Sequence, residues 1–199
     1  SYWRNQKLKE TEQLILAASG IWVEAYSTTA TVVPGQPMEA LVQLINRSKI
    51  PVKLQQLSLP GKDSSMGAQS LPFNQLVSIS KALMVPATTP VSQPYWLEEA
   101  HALGTFEVKD PLVIGNPENI PALQAVVKLN IGGQDFTITR ALQYKYTDPV
   151  KGELYEPLVI APPVVANLNN QVFIFTSATP QTVPVKLKAM ADNTTGTVQ

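Results

Sequence analysis

The feature that most constrains this chain is a two-residue rhythm of apolar side chains within residues 31–59. Met38, Ala40, Val42 and Leu44 fall on one side of a period-two pattern. Successive side chains of a strand point to opposite faces, so this spacing lines one buried face. Asn46-Arg47-Ser48 breaks the pattern as a polar turn, and Ile50, Val52 and Leu54 start a second alternation. That alternation slips phase at Gln55-Gln56 and resumes with Leu57 and Leu59, which is how a β-bulge reads in sequence. Upstream, Val32 and Val33 lead into Pro34-Gly35, where proline fixes φ and glycine admits positive φ, so a turn is expected. Strand, turn and bulged strand are the opening of a β-sandwich.

The same grammar continues downstream. Leu123, Ala125, Val127, Leu129 and Ile131 alternate inward while Gln124, Lys128 and Asn130 point outward. Gly132-Gly133 is the composition of a two-residue primed hairpin turn. Its partner strand is expected over 135–146, with Phe136, Ile138, Leu142, Tyr144 and Tyr146 on one face. Arg140 interrupts that face and needs a partner or an exit to solvent. Residues 71–81 are expected to hold a further strand with Leu76 and Ile79 buried, and 104–108 a short one. Residues 60–70 and 110–121 read as loops. From residue 21 to 146 this makes about seven strands, at the turn spacing of an immunoglobulin-like sandwich.

The expected fold class is therefore mainly β: an Ig-like β-sandwich with an N-terminal helix and the first strands of a second Ig-like module. Residues 1–20 carry the helix, predicted over 7–19 with Leu8, Leu14, Ile15 and Ala18 as a one-sided apolar stripe and Gly20 as its cap. Residues 21–150 form the sandwich and 151–163 a Pro-rich connector. Residues 164–199 read as a partial second module, with strands over 164–168, 172–175 and 183–189. Roughly 36 residues are too few for an independent core. These strands are expected to pair onto the first sandwich, to pair with another copy, or to remain poorly ordered.

Composition narrows function. Fifteen basic and fifteen acidic residues cancel, which argues against nucleic acid or an anionic membrane as a general electrostatic partner. The charged fraction of 15% lies below the roughly 25% usual for soluble domains, while 44% hydrophobic residues suffice for a real core. With no cysteine there can be no disulfide, thiolate metal site or cysteine nucleophile. No apolar run approaches the ~18 residues of a membrane span, and no signal peptide is predicted. The start at Ser1 rather than Met leads us to expect a piece of a longer polypeptide.

No residue pattern names a chemistry. His101 is the single histidine and has no ligand-spaced companions, so no metal site and no cofactor are expected. Glu98-Glu99 and the pair Glu153 and Glu156 are close along the chain only, which gives no basis for a glycosidase dyad. Tyr95-Trp96 suits either a sugar-stacking platform or, better, a core or interface plug, because tryptophan buries a large area. Asn46-Arg47-Ser48 and Asn193-Thr194-Thr195 match the glycosylation sequon but are explained as polar turn and tail. Tyr2 and Trp3 are unusually apolar for a terminus. The candidate contacts for a docking partner or carbohydrate are Trp3, Trp22, Tyr95 and Trp96; no catalytic residue is assigned.

The ordered motifs LAASGIWVEA, VVPGQ, INRS, QPYWL, FEVKDPLVIGNPENIP and YKYTDPVKGELYEPLVIAPPV cover nearly the whole chain. Together they resemble the region downstream of the catalytic domain in large PIG-L/LmbE-type N-acetylglucosaminyl deacetylases of Bacteroidetes. The resemblance implies an exported, multidomain zinc hydrolase acting on N-acetylated amino sugars, of which this is a non-catalytic part. The family's His-Pro-Asp-Asp signature is missing, since His101 is followed by Ala102 and Leu103, so no catalytic residue carries over. The implied partner is the catalytic domain of the same polypeptide, with carbohydrate as the alternative.

Overall fold

The computed structural model describes residues 2–64, 69–170, 172–174, 176, 177, 180 and 182–192. Among the described residues one α-helix, α1 (Tyr2–Ala18), precedes fourteen strands. They are β1 (Ile21–Ser27), β2 (Thr31–Val32), β3 (Pro37–Asn46), β4 (Val52–Leu59), β5 (Lys62–Ser64), β6 (Gln69–Ser70) and β7 (Leu76–Met84). After a long irregular segment come β8 (Gln124–Ile131), β9 (Gln134–Ala141), β10 (Gln143–Asp148), β11 (Gly152–Pro157), β12 (Val159–Ile160), β13 (Val164–Leu168) and β14 (Val185–Ala189). No helix is long and apolar enough to cross a membrane, among the described residues.

The protein is a mainly β sandwich. One sheet runs β11-β10-β1-β3-β7 and the other β5-β4-β8-β9, with β6 also on β4. The expected alternations supply the core between them. Ala40, Val42 and Leu44 from β3 are fully buried in one cluster with Leu54, Leu57, Val127 and Leu129 from β4 and β8. The phase slip is a real bulge: the β4–β8 register shifts between Leu54 and Gln56, so Leu54 and Leu57 both reach the core despite their odd spacing. Gly132 and Gly133 both take positive φ between the paired Ile131 and Gln134, as a type I′ hairpin requires.

The structure corrects several expectations. The strand expected over 135–146 is two strands in different sheets. After Ala141 the backbone turns a corner at the buried Leu142, whose N–H donates to the Leu123 carbonyl at 3.0 Å. It continues as β10, parallel to β1 at Tyr26 and Ser27. The alternation runs unbroken through Leu142 because the corner residue is itself buried, which hides the change of sheet. The connector expected over 151–163 is instead woven into the body. β11 pairs with β10, β12 pairs in parallel with β2, and Ile160 is a core residue.

In β7 the inward residues are Val77, Ile79 and Leu83, while Leu76 is exposed. Leu76 and Ile79 have opposite parity, so they cannot share a face of one strand. Residues 104–108 form no strand, and two short 3-10 turns, Tyr95–Leu97 and Pro111–Val113, punctuate this irregular segment. β13 and β14 pair with each other rather than with the sandwich sheets, and residues 172–174 are irregular. Phe175, Asn193 and the rest of the tail lie outside the described residues.

The helix also differs from expectation. It starts at Tyr2 and turns Leu16 and Ser19 into the body, with Glu12 and Ile15 half-buried beside them. That i, i+3, i+4, i+7 spacing is one helical face. Leu8, Leu14 and Ala18 of the expected stripe point to solvent, Leu14 with 68% of its surface exposed. Gly20 ends the helix with φ +64°, as a left-handed cap should, and its carbonyl accepts from the Arg47 N–H at 2.8 Å.

Candidate functional site

The four aromatic candidates fall in three separate places. Trp3 sits near the start of α1, 70% exposed, edge-on to Tyr2 at 5.6 Å between ring centres. Tyr95 and Trp96 share a 3-10 turn and are perpendicular, at 89° and 4.9 Å. A perpendicular pair offers no common flat face to a sugar ring. Tyr95 acts as a staple instead: its N–H donates to Asn119 Oδ1 at 3.0 Å, and its hydroxyl accepts from the Gly115 N–H at 3.1 Å. Asn119 Nδ2 donates in turn to the Gln93 carbonyl. Trp96 lines a cleft of about 910 Å³ between this loop and the body, whose walls include Ile120, Leu142 and Leu158. The Glu99–Lys109 ion pair belongs to the same cleft.

Trp22 is different. It projects outward from β1, half-buried, and lines a cavity of about 590 Å³ with Gln13, Glu24, Arg140, Gln143 and Tyr155. The cavity forms where the chain crosses from β9 to β10. β10 pairs with β1 at Tyr26 and Ser27, which leaves the Ile21–Ala25 stretch of that edge without a paired strand. Arg140 stands in for the missing ladder, its Nε donating to the Val23 carbonyl at 3.0 Å. It also donates to the Thr139 carbonyl at 3.2 Å and to Gln13 Oε1 at 3.3 Å. This is the partner that the sequence demanded for Arg140. Burial pushes the guanidinium below its ordinary pKa, and the charge of Glu12 on α1 opposes that shift.

Beside the cavity lies a cluster that sequence reasoning missed. Lys145 Nζ is 2.7 Å from Glu24 Oε1 and 3.1 Å from Glu153 Oε2, and lies over the Tyr26 ring at 4.8 Å. The Tyr155 hydroxyl donates to Glu24 Oε2 at 2.8 Å. Lys145 and Glu24 side chains are 12% and 11% exposed, so this is a largely desolvated pair. Burial alone would lower the Lys145 pKa, but hydrogen bonds to Glu24, Glu153 and Tyr155 outweigh it and hold the ammonium above the ordinary lysine range. Burial, and then the bond to Glu24, push the Tyr155 phenol up as well. One signal for the cluster was present in sequence: Trp22, Glu24 and Tyr26 alternate on β1 opposite the buried Ile21, Val23 and Ala25. The pairing with Lys145 was not, because it depends on the change of sheet at Leu142.

The remaining candidates stay apart. His101 is exposed, with Nδ1 at 3.2 Å from the Ala102 carbonyl and its ring 5.1 Å from Phe106. Strand alternation sends Glu153 to Lys145 and Glu156 to the Tyr146 hydroxyl, at 2.8 Å, on opposite faces of β11. Among the described residues no group of three or more His, Cys, Asp or Glu is placed to hold a metal ion. The Asn46 side chain is buried, with Nδ2 donating to the Ile50 carbonyl at 2.9 Å and Oδ1 accepting from the Ser48 N–H at 3.0 Å.

No family model and no curated protein matches this chain. Among solved structures, the sporulation control protein Spo0M of Bacillus subtilis is similar over 61% of this chain and 48% of its own, at 12% identity and a TM-score of 0.31. The alkylpurine DNA glycosylase AlkC of Pseudomonas fluorescens, bound to DNA containing an abasic site analogue, is similar over 64% of this chain and 32% of its own. Its identity is 11% and its TM-score 0.27. The chain thus spans less than half the length of either, and likenesses this slight carry no argument about function.

Proposed function

We propose that this protein is a non-catalytic β-sandwich module that docks a catalytic domain of the same polypeptide, in a PIG-L/LmbE-type deacetylase. The observation that carries the reading is the division of α1. Leu16 and Ser19 anchor the helix to the body, while Tyr2, Trp3, Leu8 and Leu14 are exposed. An amphipathic helix normally turns its large apolar residues inward; this one holds them outward from a firm attachment. The motif resemblance supports the choice of occupant, because it implies a segment downstream of a catalytic domain, and α1 is then the element nearest to that domain. The sugar-binding alternative gains nothing from the perpendicular Tyr95–Trp96 pair.

The test is binding of this chain to the separately expressed catalytic domain, measured by titration calorimetry. Trp3→Ala and Leu14→Asp should each weaken the complex by about tenfold or more, as truncation of an exposed anchor does. Their melting temperatures should stay near that of the parent chain. Undiminished binding by both variants would overturn the docking reading.

A further inference from the structure

We propose that the cavity beside Trp22 binds a small carboxylate ligand with a flat apolar face, the size of one sugar-acid ring. The inference does not rest on the docking role of α1, although Gln13 of that helix lines the site. Its volume, about 590 Å³, lies within the usual range of small-molecule pockets. The cation that selects the ligand is Arg140. Its three hydrogen bonds go to neutral oxygens of Val23, Thr139 and Gln13, and no described carboxylate lies within ion-pair distance of it. A guanidinium has about five N–H donors, so roughly two remain, the number a carboxylate takes in a paired contact.

The other charges nearby sharpen the choice. Lys145 is already engaged by Glu24 and Glu153, so the cation at this wall with no described carboxylate at ion-pair distance is Arg140. Those two acids, with Glu12 on α1, would repel a dianion such as a phosphate ester more strongly than a single carboxylate. Trp22 and Tyr155 give the cavity aromatic walls, which suit the apolar face of a ring. Gln13 and Gln143 bring amides that both donate and accept, as ring hydroxyls require. Charge, face and amides together fit a hexuronate better than a bare carboxylate or a neutral hexose.

The whole chain is titrated with sodium glucuronate while the indole N–H resonances are followed by NMR, that of Trp22 being assigned from Trp22→Phe. The Trp22 signal should shift saturably while those of Trp3 and Trp96 stay in place. Glucose, which lacks the carboxylate, and acetate, which lacks the ring, should each bind about tenfold more weakly or worse. Arg140→Gln should abolish the shift. Because Arg140 also caps the Val23 carbonyl, Gln13→Ala and Trp22→Ala serve as variants that leave the cap in place, with binding then followed by calorimetry. No saturable shift, equal binding of glucose, a shift at Trp96 instead, or affinity retained in both of these variants would overturn the site.

Discussion

β8 and β14 are nearly the same sentence written in two places. Both alternate apolar and polar residues: Ala125, Val127, Leu129 and Ile131 in one, Val185, Leu187 and Ala189 in the other. Each has an antiparallel neighbour, β9 or β13. Yet Leu129 is completely buried while Leu187 is 49% exposed, along with every other residue of β14. The difference is a second layer. β8 has the other sheet over its apolar face, and β14 has nothing among the described residues. Alternation therefore specifies which side chains share a face; burial needs a second element shaped to cover it.

Substitutions can press on that contrast. Leu129→Asp places an unpaired charge in the closed core and should cost about 4 kcal/mol or more, enough to prevent folding. Circular dichroism and limited proteolysis would reveal it. Leu16→Asp tests coverage at the helix, where Leu16 is the buried apolar anchor, and should cost about 2–3 kcal/mol in urea titration. Leu14→Asp, two residues away on the open face, should shift stability by less than about 0.5 kcal/mol. If the two helix variants lose equally, the helix is covered on both sides and the contrast collapses.

Lys145→Gln removes the cation from a desolvated pair on the outer face of the first sheet and should cost about 2 kcal/mol at neutral pH. The pH dependence has a definite sign. Lys145 and Tyr155 both hold their protons more tightly in the folded state than in the unfolded one. Their stabilisation is complete at neutral pH and fades as pH climbs from about 10 through the raised folded values. Denaturation curves collected from pH 7 upward should therefore lose midpoint on the alkaline side. The loss should be shallower in Lys145→Gln and in Tyr155→Phe. An effect as small as that of Leu14→Asp is expected for Leu187→Asp, within about 0.5 kcal/mol of the parent, because its face already meets water. A larger loss would mean that β14 is covered after all.

What the sequence made legible follows the same division. Where a strand is covered on one face and its turn is encoded locally, period and turn chemistry were enough: β3, the bulge in β4 and the Gly132-Gly133 hairpin could all be read from residue order. The crossing at Leu142 could not, because a buried corner residue keeps the alternation intact. Nor could the roles of 151–163, whose prolines suggest a connector while Ile160 completes the core beside β2. The candidate aromatics were legible as residues but not as a site. Trp22 gained companions from three distant parts of the chain: Gln13 on α1, Arg140 on β9 and Tyr155 on β11.

The two parallel pairings set an order of events during synthesis. β1 and β2, the earliest strands of the sandwich, find neighbours in β10 and β12, among its last. At the usual rates of ribosomal elongation, ~5–20 residues per second, Val32 waits on the order of ten seconds for Ile160 to be made. Until then the nascent sandwich presents an unzipped edge and an uncovered flank of its core. A ribosome that stalled before residue 160 would thus hold a chain with its centre largely built and its seam open, which is the form most inclined to join a neighbouring nascent copy.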